Sequence, residues 1–404
     1  MARIDLAWEL GGNLGHVSVM LPMAHALAAR GHAVRMMLRE HDAGADLPSA
    51  QGIPRAGAPI WVGPTPYPNP VNFGQLLLNF GYGATQSLVQ LLDAWRERLA
   101  GADLVIANVA PSAHLAARTL GIPSVEISQG FHVPPPSFPT PVLREWEAPP
   151  VQAMAASDEQ ALAAINTSLA ARGAAPIRTL GDLFLGRTLL LTYPELDTYA
   201  RSEALTYLGI VPTGTGGLAP HWPSGSGPRV FAYVQNNYPG MERLARSLRA
   251  LDVPTLAFFR GLDAAACARL SSDSVLVTSA PMSVSDTLPQ ADIVVCHASH
   301  QMTAQALLAG KPLLLLPTHV EQMLNARRVE RIGAGIAIAP YTDASDFDIP
   351  LAILVEDDGY RNRARAFAAR YAQMPDPIAR IVTACEALTA RAAGAAFAQR
   401  APIG

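Results

Sequence analysis

The sequence predicts an α/β protein built from two Rossmann-like domains, and three observations carry that expectation. Short apolar strands alternate with amphipathic helices along most of the chain. The alternation restarts after a Gly-, Pro- and Ser-rich stretch, PTGTGGLAPHWPSGSGP at residues 212–228, which reads as an interdomain linker. The 404 residues, 50% hydrophobic and 16% charged, suffice for two cores at about 100–200 residues per domain. The boundaries that follow are a first domain at 1–211, a second at 229–390 and a tail at 391–404.

The first element places Ile4, Leu6, Trp8 and Leu10 at period two, a strand pattern. The turn Gly11-Gly12-Asn13-Leu14-Gly15-His16 follows. Residues 17–30 then set Met20, Leu21, Ala24, Leu27 and Ala28 on one helical face, and Gly31 closes the helix. Residues 33–38 form a second strand, so the chain opens with the seed of a parallel sheet. Strands at 103–107 and 122–127 flank a helix at 112–120. Two irregular stretches, 60–83 and 129–150, carry Trp61, Tyr67, Phe73, Phe80, Tyr82, Phe131, Phe138 and Trp146. They read either as ordinary connections or as the wall of an apolar pocket. Beyond the linker, strands are expected at 229–234, 254–259, 274–279, 292–297, 312–317 and 335–339, with helices including 300–309 and 320–332. Ligands of such sheets bind beyond the C-terminal strand ends, so a cleft between the domains is the expected site. The Ala-rich end, 391–404, reads as helix fraying into disorder.

Composition removes several function classes. The net charge is −3 and no long basic run exists, so nucleic-acid binding has no electrostatic basis. Cys267, Cys296 and Cys385 form no CxxC pair, and their odd number argues against a disulfide framework and for a reducing cytoplasm. Asp5 and Glu9 interrupt the N-terminal apolar residues, so no signal peptide is expected. No run of 18 or more apolar residues exists, so no membrane span is expected.

Three constellations could carry chemistry. The first is the Gly-rich turn. It departs from the GxGxxG spacing of dinucleotide sites, although Glu40 lies about where a ribose contact would. His16 stands at a strand-to-helix junction, where an imidazole either caps the helix or takes a proton from a hydroxyl. The second is His297-Ala298-Ser299-His300-Gln301-Met302-Thr303, which follows a strand and opens a helix. Such an N-terminus suits an anionic group such as a phosphate; equally, its polar residues could merely cap the helix. A metal held by His297, His300 and His319 lacks a carboxylate at a ligand spacing. The third is Thr318-His319-Val320-Glu321-Gln322 after an apolar strand, either an ordinary helix start or a binder of sugar hydroxyls.

Together these segments resemble the GT-B-fold nucleotide-sugar-dependent glycosyltransferases, the family of bacterial macrolide and glycopeptide, plant flavonoid and sterol glycosyltransferases. GGNLGHVSVMLPMAHALAARGHAV is similar to the family's N-terminal strand end, Gly-His loop and first helix. SVSDTLPQADIVVCHASHQMTAQALLAGKPLLLLPTHVEQMLNARRVERIGAGIAI is similar to its donor-binding segment. The resemblance implies two facing Rossmann-like domains with an interdomain cleft, the acceptor on the first and the donor mainly on the second. It implies inversion at the anomeric carbon, with no required metal and no cofactor beyond the nucleotide sugar as co-substrate. His16 matches the general base, His297 the histidine on the donor diphosphate, and Glu321 and Gln322 the pair that binds sugar hydroxyls. Gln305 sits where the family often has a ribose-binding Glu. Pro281 and Met282 match the segment bracketing the base of the nucleotide. Asn13, Gly15, Ser299, His300, Gln301 and Thr303 complete the expected donor side.

The sequence departs from the family in three places. The turn His-Gly-Gly-x-Gly-Thr is here His-Ala-Ser-His-Gln-Met, so Ala298, Ser299 and Gln301 replace glycines that allow close backbone approach, and Met302 replaces a small residue. Gln305 replaces a carboxylate. Asn108 stands where an Asp would orient the base, so either another acid such as Glu9 or Glu126 takes over, or His16 is a weaker base, or base catalysis matters less for this acceptor. The expected activity is transfer from a UDP- or dTDP-sugar to a hydroxyl of a small lipophilic acceptor, the acceptor class being inferred from the aromatic, Pro-rich stretches. A homodimer is compatible with this reading. The competing expectations are a catalytically weakened homologue that binds a ligand or assists another enzyme, and another GT-B enzyme such as a sugar-nucleotide epimerase.

Overall fold

The structure is a computed structural model. It describes residues 1–12, 15–45, 47, 50–184, 188–201, 206–212, 216–235, 238–339, 341–342 and 345–400, with side chains excluded at 392–400. The chain divides into two compact units, Met1–Val211 with Pro375–Gly404, and Pro212–Met374.

The first unit is built on β1 (Arg3–Trp8), β2 (Ala33–Leu38), β3 (Arg55–Gly57), β4 (Leu104–Asn108), β5 (Ser124–Ser128), β6 (Thr188–Leu190) and β7 (Thr206–Tyr207). They form one parallel sheet in the order β3-β2-β1-β4-β5-β6-β7. Its helices are α1 (Gly15–Ala29), α2 (Phe73–Leu77), α3 (Thr85–Leu99), α4 (Pro111–Leu120) and α5 (Val151–Ala170). Strands covered on both faces read as continuous apolar runs: in β1, Ile4, Leu6, Ala7 and Trp8 are all fully buried. Helix α1 adds Val17, Met20, Met23, Ala24 and Leu27 to the same core, each large side chain stabilising by roughly 1.5–3 kcal/mol.

The second unit carries β8 (Val230–Gln235), β9 (Thr255–Arg260), β10 (Val275–Thr278), β11 (Ile293–Cys296), β12 (Leu313–Leu315) and β13 (Gly335–Ala337). These too are parallel, in the order β10-β9-β8-β11-β12-β13. Its helices are α6 (Met241–Leu251), α7 (Ala264–Leu270), α8 (Val284–Thr287), α9 (His300–Leu308), α10 (Val320–Ile332), α11 (Asp348–Glu356) and α12 (Asp358–Tyr371). The last helix, α13 (Pro377–Arg400), packs on the first unit. Ile381 and Cys385 are buried in the α1 core, and Arg30 makes two hydrogen bonds to Glu386 of 2.9 and 3.0 Å. Periodicity marks the apolar face of this helix but not the sheet it serves, so the sequence assigns its first half to the second domain.

The segment read as a linker is partly bonded into the second unit. Leu218 N–H donates to Pro281 O (2.8 Å) and Leu218 O accepts from Ser283 N–H (2.9 Å). Gly217, at φ 115°, passes so close that a Cβ there would lie 2.7 Å from Pro281 O. Its Gly content therefore serves a close backbone approach as well as a turn. Among the described residues, no helix is long and apolar enough to cross a membrane.

Candidate functional site

In each sheet the strand order reverses between the first strand and its later neighbour, β1 with β4 and β8 with β11. The C-terminal ends of those strands are the binding edge of such a fold.

On the first unit that edge carries His16, at the start of α1, and Asn108, the last residue of β4. Asn108 Nδ2 donates to Ile127 O (2.5 Å), and this orients the amide. Its Oδ1 then faces His16 Nδ1 at 2.6 Å. A carbonyl oxygen only accepts, so Nδ1 carries the proton and Nε2 keeps its lone pair. The ring stacks on Trp8, with centroids 4.9 Å apart and planes at 20°. Gly11, at φ 85°, backs onto it: a Cβ at Gly11 would lie 2.7 Å from Nε2. Burial pushes the imidazole below its ordinary 6.5, opposed by the Asn108 bond and by the charges of Glu126 and Glu40. Gly15 opens α1 and is exposed; Asn13 lies outside the described residues.

Neither acid that could stand in for the missing Asp touches His16. Glu9 Oε1 and Oε2 accept from Ser112 Oγ–H (2.7 Å) and N–H (2.9 Å), so Glu9 caps α4. Burial raises its carboxyl to about 7. Glu126 Oε1 accepts the Val109 N–H (2.9 Å), and its Oε2 lies 3.0 Å from His114 Nε2. Sequence reasoning missed His132, whose ring senses the charge of His16 and is pushed down to about 3, chiefly by burial. Its loop is pinned by Tyr199 Oη on Phe131 O (2.8 Å) and by Arg201 on the carbonyls of Gly130 and Val133. No spacing rule links such a loop to a histidine more than a hundred residues away.

On the second unit the edge gathers His297, Ala298 and Ser299 beyond β11, and Thr318, Glu321 and Gln322 beyond β12. His297, which the resemblance matches to a donor-diphosphate contact, bonds to backbone through both ring nitrogens. Its Nε2 accepts the Gln235 N–H (2.9 Å) and its Nδ1–H donates to Leu316 O (2.9 Å). Both nitrogens are committed to backbone, and the neutral ring ties the ends of β8, β11 and β12 together. Burial holds its pKa below the ordinary value. Ala298 adopts φ 60°, the left-handed conformation natural to the glycine it replaces, and Asn325 Nδ2 on α10 holds its carbonyl (3.1 Å). Asn325, a buried amide in mid-helix, was not anticipated.

Ser299 is the exposed N-cap residue of α9, with His300 and Thr303 buried in its first turn. Gln301 Nε2 donates to Gln305 Oε1 one turn on (3.1 Å). Gln322 Oε1 accepts both the N–H and Oγ–H of Thr318 (2.9 Å each). Desolvation raises Glu321 to about 7. Met282 is buried, and Pro281 is braced by Leu218 as described. Among the described residues, no three His, Cys, Asp or Glu side chains group as a metal site.

Comparison with known proteins bears on the fold and on the second unit. Residues 243–388 match the family described as erythromycin biosynthesis protein CIII-like, C-terminal domain. A PGL/p-HBAD biosynthesis rhamnosyltransferase of Mycobacterium bovis is 28% identical over 266 residues, 58% of this chain and 56% of that protein. The chain thus matches little more than half the length of this curated relative. Among solved structures, the calicheamicin glycosyltransferase CalG4 superposes with a TM-score of 0.74 at 22% identity, covering 96% of this chain and 98% of that one. The spinosyn rhamnosyltransferase SpnG complexed with thymidine diphosphate gives 0.67 at 22% identity, covering 94% and 99%. Residues 243–388, most of the second unit, thus match the CIII-like C-terminal domain family, and the two parallel Rossmann-like sheets share the GT-B fold of the solved natural-product glycosyltransferases.

Proposed function

We propose that the protein is an inverting glycosyltransferase that moves a sugar from a thymidine- or uridine-diphosphate sugar to a hydroxyl of a small lipophilic acceptor. The observation that carries this reading is the relay from Ile127 O through the Asn108 amide to His16. It fixes the proton on Nδ1 and presents Nε2 as a base. The acceptor hydroxyl gives its proton to Nε2, and its oxygen attacks the anomeric carbon. The bond to the diphosphate breaks, and that electron pair leaves with the phosphate. The first-turn N–H groups of α9, following Ser299, receive the growing negative charge. With both His297 nitrogens bound to backbone, the diphosphate falls to these N–H groups and not to that ring. Glu321 accepts from sugar hydroxyls and the Gln322 amide nitrogen donates to them.

Thymidine is supported by structural relatives complexed with thymidine diphosphate, SpnG and the Streptomyces glycosyltransferase SsfS6. A lipophilic acceptor is supported by the exposed apolar side chains of Val62, Phe138, Trp146 and Val151, in or beside the two irregular stretches of the first unit. The test is turnover of dTDP- and UDP-sugars with a panel of lipophilic alcohols, in wild type and His16→Ala, beside thermal shifts with dTDP and UDP. The expected outcome is a loss of about 10²–10⁴-fold in turnover with the nucleotide shift preserved. Undiminished turnover in His16→Ala would refute the base assignment. A wild type that no diphosphate stabilises favours the binding or auxiliary reading, which the altered turn after His297, with its left-handed Ala298, and Asn108 motivate.

A further inference from the structure

His16 and Asn108 form a neutral dyad, yet the ring becomes positive once it has taken a proton. An amide orients an imidazole without supplying a countercharge. The helix N-terminus and burial both disfavour the imidazolium. The carboxylates whose charge acts on His16 are Glu126, on the strand beside Asn108, and Glu40 beyond β2; the neighbouring titratable ring is His132 beyond β5. Glu40 is exposed, so water and salt screen it. His132 is neutral and has no charge to give. Glu9, which faces Arg39 and Glu126, is committed to Ser112 and shares its proton near neutrality.

We propose that Glu126 is the countercharge of His16, a positioning residue that acts across the Val109 turn without touching the ring. Asn108 sets where the proton sits, and Glu126 stabilises the charge that follows. Glu126 is fully buried on the strand beside β4, paired in register with Ala107. Its oxygens meet the Val109 N–H and His114 Nε2, and His114 Nδ1 meets Ser124 Oγ at 2.9 Å. Both Glu126 contacts set a nitrogen of a neighbouring group against one of its carboxylate oxygens. The Val109 bond also fixes the left-handed residue directly after Asn108 (φ 56°), so one side chain governs both the orienting amide and the field at the ring.

This inference rests on His16 as the base, and the experiment separates the two. Glu126→Gln removes the charge while keeping every hydrogen bond. Gln Oε1 accepts from Val109, its amide N–H donates to His114 Nε2, and His114 moves its own proton to Nδ1 to donate to Ser124. The His16 imidazole pKa is read by NMR titration in wild type, Glu126→Gln and Glu126→Asp, beside kcat/KM against pH. In Glu126→Gln the His16 pKa falls by about one unit, the acid limb of kcat/KM moves with it, and kcat drops by about tenfold. Glu126→Asp, which keeps the charge, leaves the His16 pKa and the limb in place. An unmoved His16 pKa in Glu126→Gln overturns the proposal, as does an equal fall in activity of both variants with no movement of the limb. The NMR titration needs no turnover, so it reports on Glu126 even if His16→Ala proves active and the base assignment fails.

Discussion

Val109 and Ala298 occupy corresponding places in their two sheets, and both do so in left-handed backbone, at φ 56° and 60°. Val109 directly follows Asn108 at the end of β4; Ala298 directly follows His297 beyond β11. Those are the strands at which the sheet order reverses. The conformation costs about 1–2 kcal/mol in a residue with a Cβ, and it persists where neighbours over-determine it. Val109 is held by Glu126 on its N–H and by the Leu10 N–H on its carbonyl (2.9 Å), Ala298 by Asn325 on its carbonyl. Each turn fixes the residue before it, the orienting amide in one unit and the strand-tying imidazole in the other.

The strain at Ala298 is open to a paired substitution. Ala298 and Ala304 are both fully buried, one in the left-handed turn and the other inside α9. Ala304→Gly loses a buried methyl and helix propensity, each about 0.8–1 kcal/mol. Ala298→Gly loses the methyl but relieves the strain, so its stability stays within about 1 kcal/mol of wild type. Urea unfolding of both variants decides it. Equal losses would show that the turn is not strained.

Gly11 is required next to the base nitrogen. Gly11→Ala adds a Cβ at 2.7 Å from His16 Nε2, in a left-handed backbone that itself disfavours alanine. The ring must shift, and a misplaced base costs about 10²-fold in turnover. Gly12→Ala is the control, because its Cβ meets nothing nearer than Glu40 Oε1 at 3.7 Å and its φ is ordinary. The expected outcome is loss of kcat in the first variant and near-wild-type kcat in the second.

Much of this architecture was written locally. The strand at Ala33–Leu38 and the helix at Val320–Ile332 have the bounds that their periodicity predicts, because each is set by an apolar pattern and a flanking glycine. His16 and Asn108 were legible as a pair through the family resemblance, and the structure brings them together. The helix α13 was assigned elsewhere by the sequence because an amphipathic face does not name its partner. The engagement of both His297 nitrogens was illegible for another reason. It depends on two backbone groups, Gln235 N–H and Leu316 O, that only the register of β8, β11 and β12 brings to one ring. Glu126 and His114 likewise meet through strand-to-helix packing that no motif encodes.

Glu9 makes stability depend on pH in a definite direction. Its folded pKa of about 7 lies above the unfolded carboxylate value of 4.5. Between those values the native state binds more protons, so stability falls as pH rises from about 5 to 7 and levels off above. A shift of this size corresponds to about 3 kcal/mol. The depressed histidines, His16, His132, His297 and His319, act the other way and only below their ordinary value of 6.5. Comparing Glu9→Gln with wild type cancels them. The variant loses one acceptor for Ser112 at every pH, a constant offset. It gains on wild type by up to about 3 kcal/mol from pH 5 to pH 8. Parallel pH profiles for the two proteins would show that Glu9 is ionised throughout.

Glu321 extends the same reasoning to the donor. Desolvation raises its carboxyl to about 7. A sugar hydroxyl donates more strongly to a carboxylate than to a carboxylic acid. The nearby imidazoles of His297 and His319 are both depressed, so they are already neutral over the upper part of this range. Nucleotide-sugar affinity therefore improves as pH rises from 6 to 8, by up to about tenfold, following the ionised fraction of a group titrating at 7. Glu321→Gln cannot ionise and flattens the curve. Isothermal titration at three pH values with one nucleotide sugar reads all of this. A slope that survives Glu321→Gln would place the titrating group elsewhere and leave Glu321 as an ordinary residue of the first turn of α10.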